Sequence, residues 1–470
     1  SPETAEYDNF CSVARGALLR KNSFRRRRKG REGEKGCKRI YLRELFFLND
    51  CIPACVRCIM LKCIKASKGK QMDFKYRHIL QNETQLGPYP LEKLRRVDTP
   101  TTEYVGEIKR RSQSESGMAK AMASEAGKRM LARGVMFFNR DPLCSALSSF
   151  QSYIAKFCLP EIAETKAPLP DDPRILTRHI KSLGYFLGAD MIGICALPKS
   201  AVFAEETDCD YKYAVVLLNA KKAHITRQSY GREWIDDPCS FQSYQRCACQ
   251  AQVMTAYLRQ LGWRADSSIV DKYPTLMPQL VIEAGLGEES RIGIALNPFV
   301  GASFKVSAVL TDLPLECDKP IDFGLQEYCS NCKICAEQCP TQAISYVEKV
   351  EYNGYMRWKH DGVRCATGVI TNTVGNICQR CTKICPWNRR DSGPEIFKGW
   401  DGNIQTLHDD VNRQAALRRK NGFVEPEEHL EKWWFPLMRD GGAIVEAPEF
   451  DYELHYRRER SRKARKEAST

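Results

Sequence analysis

The chain has 470 residues, 43% of them hydrophobic, which allows a sizeable core and roughly three domains. Its formal net charge of +14 comes largely from residues 20–35, "RKNSFRRRRKGREGEK", and 456–467, "YRRERSRKARKE"; neither interleaves aromatic residues as a base-stacking groove does, so both read as solvated arms and no nucleic-acid partner is expected. No stretch reaches the ~20 uninterrupted apolar residues of a membrane helix, because the nearest, 42–64, is broken by Arg43, Glu44, Asp50, Arg57 and Lys62.

In chain order, residues 1–135 are basic, polar and Cys-bearing with little periodicity, although "GMAKAMASEAGKRMLARGVMFF" (117–138) predicts a helix. Residues 172–187 predict an amphipathic helix through Ile175, Ile180, Leu183 and Leu187, stopped by Gly188 and followed by a buried strand over 191–196. "YAVVLLN" (213–219) predicts a second buried strand, and 243–263 a strong helix ended at Gly262. Further strands are expected at 291–296 and 305–311. Helices alternating with short apolar strands indicate one layered α/β domain. The expected organisation is an N-terminal region (1–164), an α/β catalytic core (165–324), a cysteine-rich domain (325–392) and a charged C-terminal extension (393–470).

Twenty-two cysteines without a disulfide-like framework point to a metal protein matured where thiols stay reduced. Eight fall in two runs, both ending in Cys-Pro: Cys329-x2-Cys332-x2-Cys335-x3-Cys339 and Cys365-x12-Cys378-x2-Cys381-x3-Cys385. In two-cluster ferredoxins the fourth cysteine of each run ligates the other cluster. Cys329, Cys332, Cys335 and Cys385 are therefore assigned to one [4Fe–4S] cluster, and Cys339, Cys365, Cys378 and Cys381 to the second. Structural zinc also uses paired Cys-x2-Cys but has no need of this pattern twice. The stretched x12 gap predicts a small, aliphatic loop bulging toward a neighbouring site.

Before the runs lies Ala284-Gly285-Leu286-Gly287, a turn whose backbone can approach a ligand closely. No dinucleotide or phosphate-loop motif occurs, so nucleotide-dependent chemistry has no support. An α/β domain fused to a two-cluster module favours a reductase with its cofactor between the two.

"GADMIGICAL", "AGLGEESRIG", "TDLPLECDKPIDFG" and the paired cysteine runs, in that order over roughly 165–390, resemble the cobamide-dependent reductive dehalogenases. The resemblance implies a nitroreductase-like α/β core that holds a base-off cobamide, fused to a ferredoxin-like domain with two [4Fe–4S] clusters. It implies contacts to that cofactor from Gly285, Gly287 and Arg291, and an N-terminal region that helps cover the cavity. The family's cobalt needs no ligating His, and "LHDDVN" (407–412) does not fit D-x-H-x-x-G. The implied proton donor is Tyr244, about eighteen residues before Gly262. A phenol with pKa near 10 needs a cation beside it to deliver a proton at neutral pH. That cation maps to Lys305, where arginine is common in the family, and a further polar residue maps near Asp271 or Lys272. The implied substrate is a small organohalide, in organohalide respiration.

The implied electron donor is a membrane-anchored or quinone-linked protein, or else a ferredoxin or flavodoxin, and a homodimer is compatible. The four arginines at 25–28 lack a following apolar region, so they do not read as a twin-arginine signal. The chain opens on Ser-Pro, so an export signal could already be gone. In that case the resemblance places it peripherally on the periplasmic face of the cytoplasmic membrane, with the cytoplasm as the alternative. Two rival functions share the clusters. An epoxyqueuosine reductase would act on tRNA, yet that family uses an acidic proton donor. A ferredoxin-like electron-transfer subunit would leave the α/β domain unexplained.

Overall fold

Two short helices stand where the sequence predicts one over 117–138: α1 (Gly117–Ala123) and α2 (Glu125–Ala132). Ser124 breaks the run, its hydroxyl donating to Ala121 O at 2.6 Å and accepting from Gly127 N at 3.4 Å. The computed structural model describes residues 85–132, 141–222, 235–371, 378–388, 393–421, 433–435, 437–440 and 442–446. Both basic arms and the apolar stretch at 42–64 lie outside them. Among the described residues no helix is long and apolar enough to cross a membrane.

Next come α3 (Pro142–Ala155) and α4 (Pro173–Phe186), which begin alike. An aspartate caps each and a proline takes its first position: Asp141 accepts from Cys144 N at 2.6 Å, Asp172 from Arg174 N at 2.9 Å. The core continues with β1 (Met191–Ala196), β2 (Tyr213–Ala220), α5 (Asp236–Gln260), β3 (Ala265–Ser268), α6 (Met277–Glu283), β4 (Glu288–Glu289), β5 (Ala295–Leu296) and β6 (Phe304–Thr311). The strand expected over 291–296 shortens to β5, paired only with β4. Helix α5 starts ahead of the periodicity that marks 243–263, with Asp236 and Asp237 in its first turn.

Four strands form one sheet in the order β1-β2-β6-β3, every neighbouring pair antiparallel. Its inner strands are apolar on both faces because both are covered. Val216, Leu218 and Leu310 pack with Leu280 and Val281 of α6. Val215, Leu217 and Val309 point the other way, onto Ile180 of α4 and Ala251, Met254 and Leu258 of α5. The open edge of β1 is closed by the "DKPIDFG" segment. Asp318 N donates to Ile194 O at 2.7 Å and its carboxylate accepts from Ile194 N at 2.8 Å, while Lys181 pairs with the same carboxylate at 2.6 Å.

The cysteine-rich segment folds as α7 (Leu325–Cys332), α8 (Ile334–Glu337), the hairpin β7 (Ile344–Tyr352) and β8 (Tyr355–His360), then α9 (Gly362–Ile370) and α10 (Arg380–Ile384). Asn353 (φ 50°) and Gly354 (φ 83°) close the hairpin with left-handed residues, as a two-residue turn requires. A final helix, α11 (Ile404–Lys420), packs on this domain and donates from Arg418 to Ile384 O at 2.9 Å. The aliphatic stretch after Cys365 corrects one expectation. It continues as α9, and Ala366 and Ile370 pack on Ala121 and Met130 of the N-terminal helices, so this part is not a bulging loop. Residues 372–377 lie outside the described chain.

Candidate active site and cluster centre

Tyr244 sits in the N-terminal third of α5, and Lys305 sits on β6 opposite Asn219 of β2. The Lys305 ammonium donates to the Tyr244 hydroxyl at 3.0 Å and lies 4.3 Å from the centre of its ring. Phe241 meets the ring edge-on, centroids 6.1 Å apart.

Buried polar ties fix this geometry. Asn219, fully buried beneath α5, donates to Gln250 Oε1 at 2.7 Å and to Cys247 Sγ at 3.1 Å. Ser307 donates to Cys247 O at 2.9 Å, and Arg246 reaches Asp190 at 3.2 Å and Ala220 O at 3.3 Å. Such groups are stable inside only when fully bonded, so they hold α5 in one register on the sheet. Tyr244 is thereby aimed at Lys305.

A second phenol belongs here. Burial, and next the neighbouring Tyr244, hold the Tyr273 hydroxyl well above its ordinary pKa, so it stays a neutral hydrogen-bonding group beside the pair. Sequence reasoning pointed to Asp271 or Lys272 instead. Asp271, at φ 71°, accepts from Ser152 at 3.1 Å, and Lys272 pairs with Asp266 at 2.7 Å. The only signal for Tyr273 was its place next to them, ahead of Pro274.

The three residues expected to contact the cobamide have other partners. A Cβ on Gly285 (φ 66°) would stand 2.0 Å from Arg96 Nη1 and 2.3 Å from Lys319 O, and one on Gly287 would stand 2.6 Å from Leu296 O. Protein atoms make a close approach at both. Arg291 is 1% exposed, and its guanidinium donates to the carbonyls of Cys329, Ser345, Val347 and Ser330 while lying over Trp358. It is a strut between the core and the cysteine-rich domain. Glu288 of the same motif accepts from Phe323 N at 2.7 Å and from the Thr101 hydroxyl, and burial raises its pKa to about 6.

The eight cysteines gather in that domain. Burial first, then the thiols of Cys385, Cys329, Cys381 and Cys332, push the Cys335 thiol up; burial, then Cys378, Cys365, Cys339 and Cys385, do the same to Cys381. Thiols this crowded become thiolates only with a cationic centre among them, so the donor set fits iron–sulfur clusters. Cys339 Sγ also accepts from Ala343 N at 3.2 Å. Among the described residues no three His, Cys, Asp or Glu side chains close to single-ion spacing; the sulfurs around a cubane stand further apart than those around one zinc ion. His408 of "LHDDVN" bonds Phe323 O at 2.6 Å and stacks edge-on against Trp387.

Residues 328–389 match the 4Fe–4S dicluster domain family. The chain is 32% identical over 207 residues to the tetrachloroethene reductive dehalogenase of Dehalobacter restrictus, covering 42% of this chain and 37% of that one. A catabolic reductive dehalogenase solved with 3-bromo-4-hydroxybenzoic acid superposes with a TM-score of 0.68 at 31% identity, over 82% of this chain and 58% of that one. A reductive dehalogenase structure described as suggesting a mechanism for B12-dependent dehalogenation gives 0.68 at 32% identity, over 80% and 57%. The chain thus spans 37% of that curated relative and just over half of those solved chains. In sequence and in fold, with a nitroreductase-like core joined to a dicluster domain, it is homologous to the cobamide-dependent reductive dehalogenases.

Proposed function

We propose that this chain carries the catalytic core of a reductive dehalogenase that removes halogen from a small organohalide, with Tyr244 as proton donor. The observation that carries the proposal is the 3.0 Å hydrogen bond from Lys305 to Tyr244, at the end of a sheet whose neighbouring domain gathers the cluster thiols. A bound cobamide supplies a strongly reducing cobalt centre at which the carbon–halogen bond is cleaved. The chain's own residues do the rest. The cysteine sets above would hold two [4Fe–4S] clusters, which would supply the electrons. Tyr244 gives its proton to the carbon that loses halide, Lys305 stabilises the phenolate left behind, and Tyr273 hydrogen-bonds beside it.

The electrons come from a separate redox protein; with an export signal removed the chain works peripherally at the periplasmic face of the cytoplasmic membrane, and otherwise in the cytoplasm. The homology to chains solved with a bromophenol and described as B12-dependent supports a haloorganic substrate and the cobamide. The test is anaerobic reconstitution, extraction of corrinoid and iron, and halide release from a haloorganic panel with reduced viologen. Halide release with bound corrinoid is expected. Absence of corrinoid overturns the proposal, and corrinoid with turnover of epoxyqueuosine tRNA but no halide selects the tRNA-modifying alternative.

A further inference from the structure

Gln379 follows the cluster ligand Cys378 and takes φ 48°, the same left-handed turn that Lys333 (φ 53°) takes after Cys332. The turn belongs to the duplicated cysteine motif, but the Gln379 side chain does something local. Its Nε2 donates to Asp236 O at 2.7 Å and to Ser240 Oγ at 3.0 Å, both in the first turns of α5, and its Oε1 accepts from the Lys221 ammonium. Lys383 of α10 adds an ion pair to Asp236 at 2.6 Å, with side chains 12% and 1% exposed. One turn beyond Ser240 on the same helix is Tyr244, and Lys221 continues the strand whose Asn219 lies opposite Lys305. The segment carrying Cys378 and Cys381, which runs into α10, is thus fastened to the head of the helix that bears the phenol.

We propose that Gln379 and Lys221 are positioning residues for electron delivery. Gln379 seats the loop of the second cluster against α5, and Lys221 holds a positive charge there that raises this cluster's reduction potential. The physical basis is direct, since net charge and hydrogen bonds around the sulfurs set the potential of a cluster. A nearby cation in a poorly solvated setting favours the reduced, more negative state. Burial, and next Lys305, disfavour the Lys221 charge, whereas the Asp236 carboxylate and the accepting Gln379 Oε1 favour it. The inference rests on the proposed function for its purpose, but its measurement does not depend on turnover.

The test is a potentiometric titration of the reconstituted full chain followed by electron paramagnetic resonance. Lys221→Gln is expected to lower one of the two midpoint potentials, the one belonging to the signal that Cys378→Ser removes, and to leave the other in place. Lys221→Arg should keep the wild-type value. Gln379→Gly suits the left-handed backbone and deletes only the side-chain bonds; it should lower the same potential and reduce kcat for halide release several-fold with KM unchanged. Wild-type potentials in both Lys221→Gln and Gln379→Gly, or an equal shift of both clusters, would overturn the proposal. Clusters that respond as expected in a chain that releases no halide would uphold it and count against the dehalogenase function alone.

Discussion

The Lys305 ammonium reaches the Tyr244 hydroxyl from the neighbouring strand, at 3.0 Å, without leaving the face of the ring. One cation so placed favours the phenolate in two ways, by a charge-assisted hydrogen bond and by its field. Lys305→Gln keeps a hydrogen-bond donor and removes the charge. We expect kcat for halide release at pH 7 to fall roughly 100-fold. Lys305→Arg keeps the charge with a planar fork in place of a point donor, and should recover only part of the rate. Steady-state halide release on the three proteins is the measurement.

Arg291 is a structural strut. It ties four carbonyls of the cysteine-rich domain to the core while almost fully buried. Removing it leaves those carbonyls unpaired, so Arg291→Met should cost about 3 kcal/mol of stability. Thermal denaturation checks this. Corrinoid affinity of the folded variant, measured by absorbance titration, should match wild type.

The carboxyl of Glu288, 1% exposed, gives stability a defined pH dependence. Burial raises its pKa from 4.5 to about 6 in the folded chain. The unfolded chain therefore releases this proton first, and folding becomes less favourable as pH rises through 4.5 to about 6. The full effect is about 2 kcal/mol and is present above that range. Glu288→Gln removes the titration while keeping an acceptor for Phe323 N. Its melting temperature relative to wild type should rise between pH 5 and pH 8, as followed by circular dichroism; a constant difference would contradict the assignment.

How much of this was readable beforehand divides along physical lines. Helix α4, the end of α5 and strands β1, β2 and β6 were legible within a residue or two, because their apolar spacing and the stops at Gly188 and Gly262 are local signals. The antiparallel order β1-β2-β6-β3 was not, since strands buried on both faces lose the alternation that separates one sheet type from another. The pairing of Tyr244 with Lys305 came from family resemblance; nothing local in "QSYQRC" or "SFKVS" brings them together. The protein partners of Arg291 and of the two glycines were not legible, because a buried strut and a ligand contact call for the same residue types in such a turn. Tyr273 was missed because its role depends on the fold that returns it to α5.

The central claim is that a proton passes from Tyr244 during halide release. Tyr244→Phe removes the hydroxyl while keeping the ring that packs on Phe241, so the cofactor site stays intact. Halide release by the anaerobically reconstituted protein, measured for wild type and Tyr244→Phe at equal corrinoid and iron content, tests it most directly. We predict a fall in kcat of at least about 100-fold in the variant. Wild-type turnover in Tyr244→Phe would contradict the account.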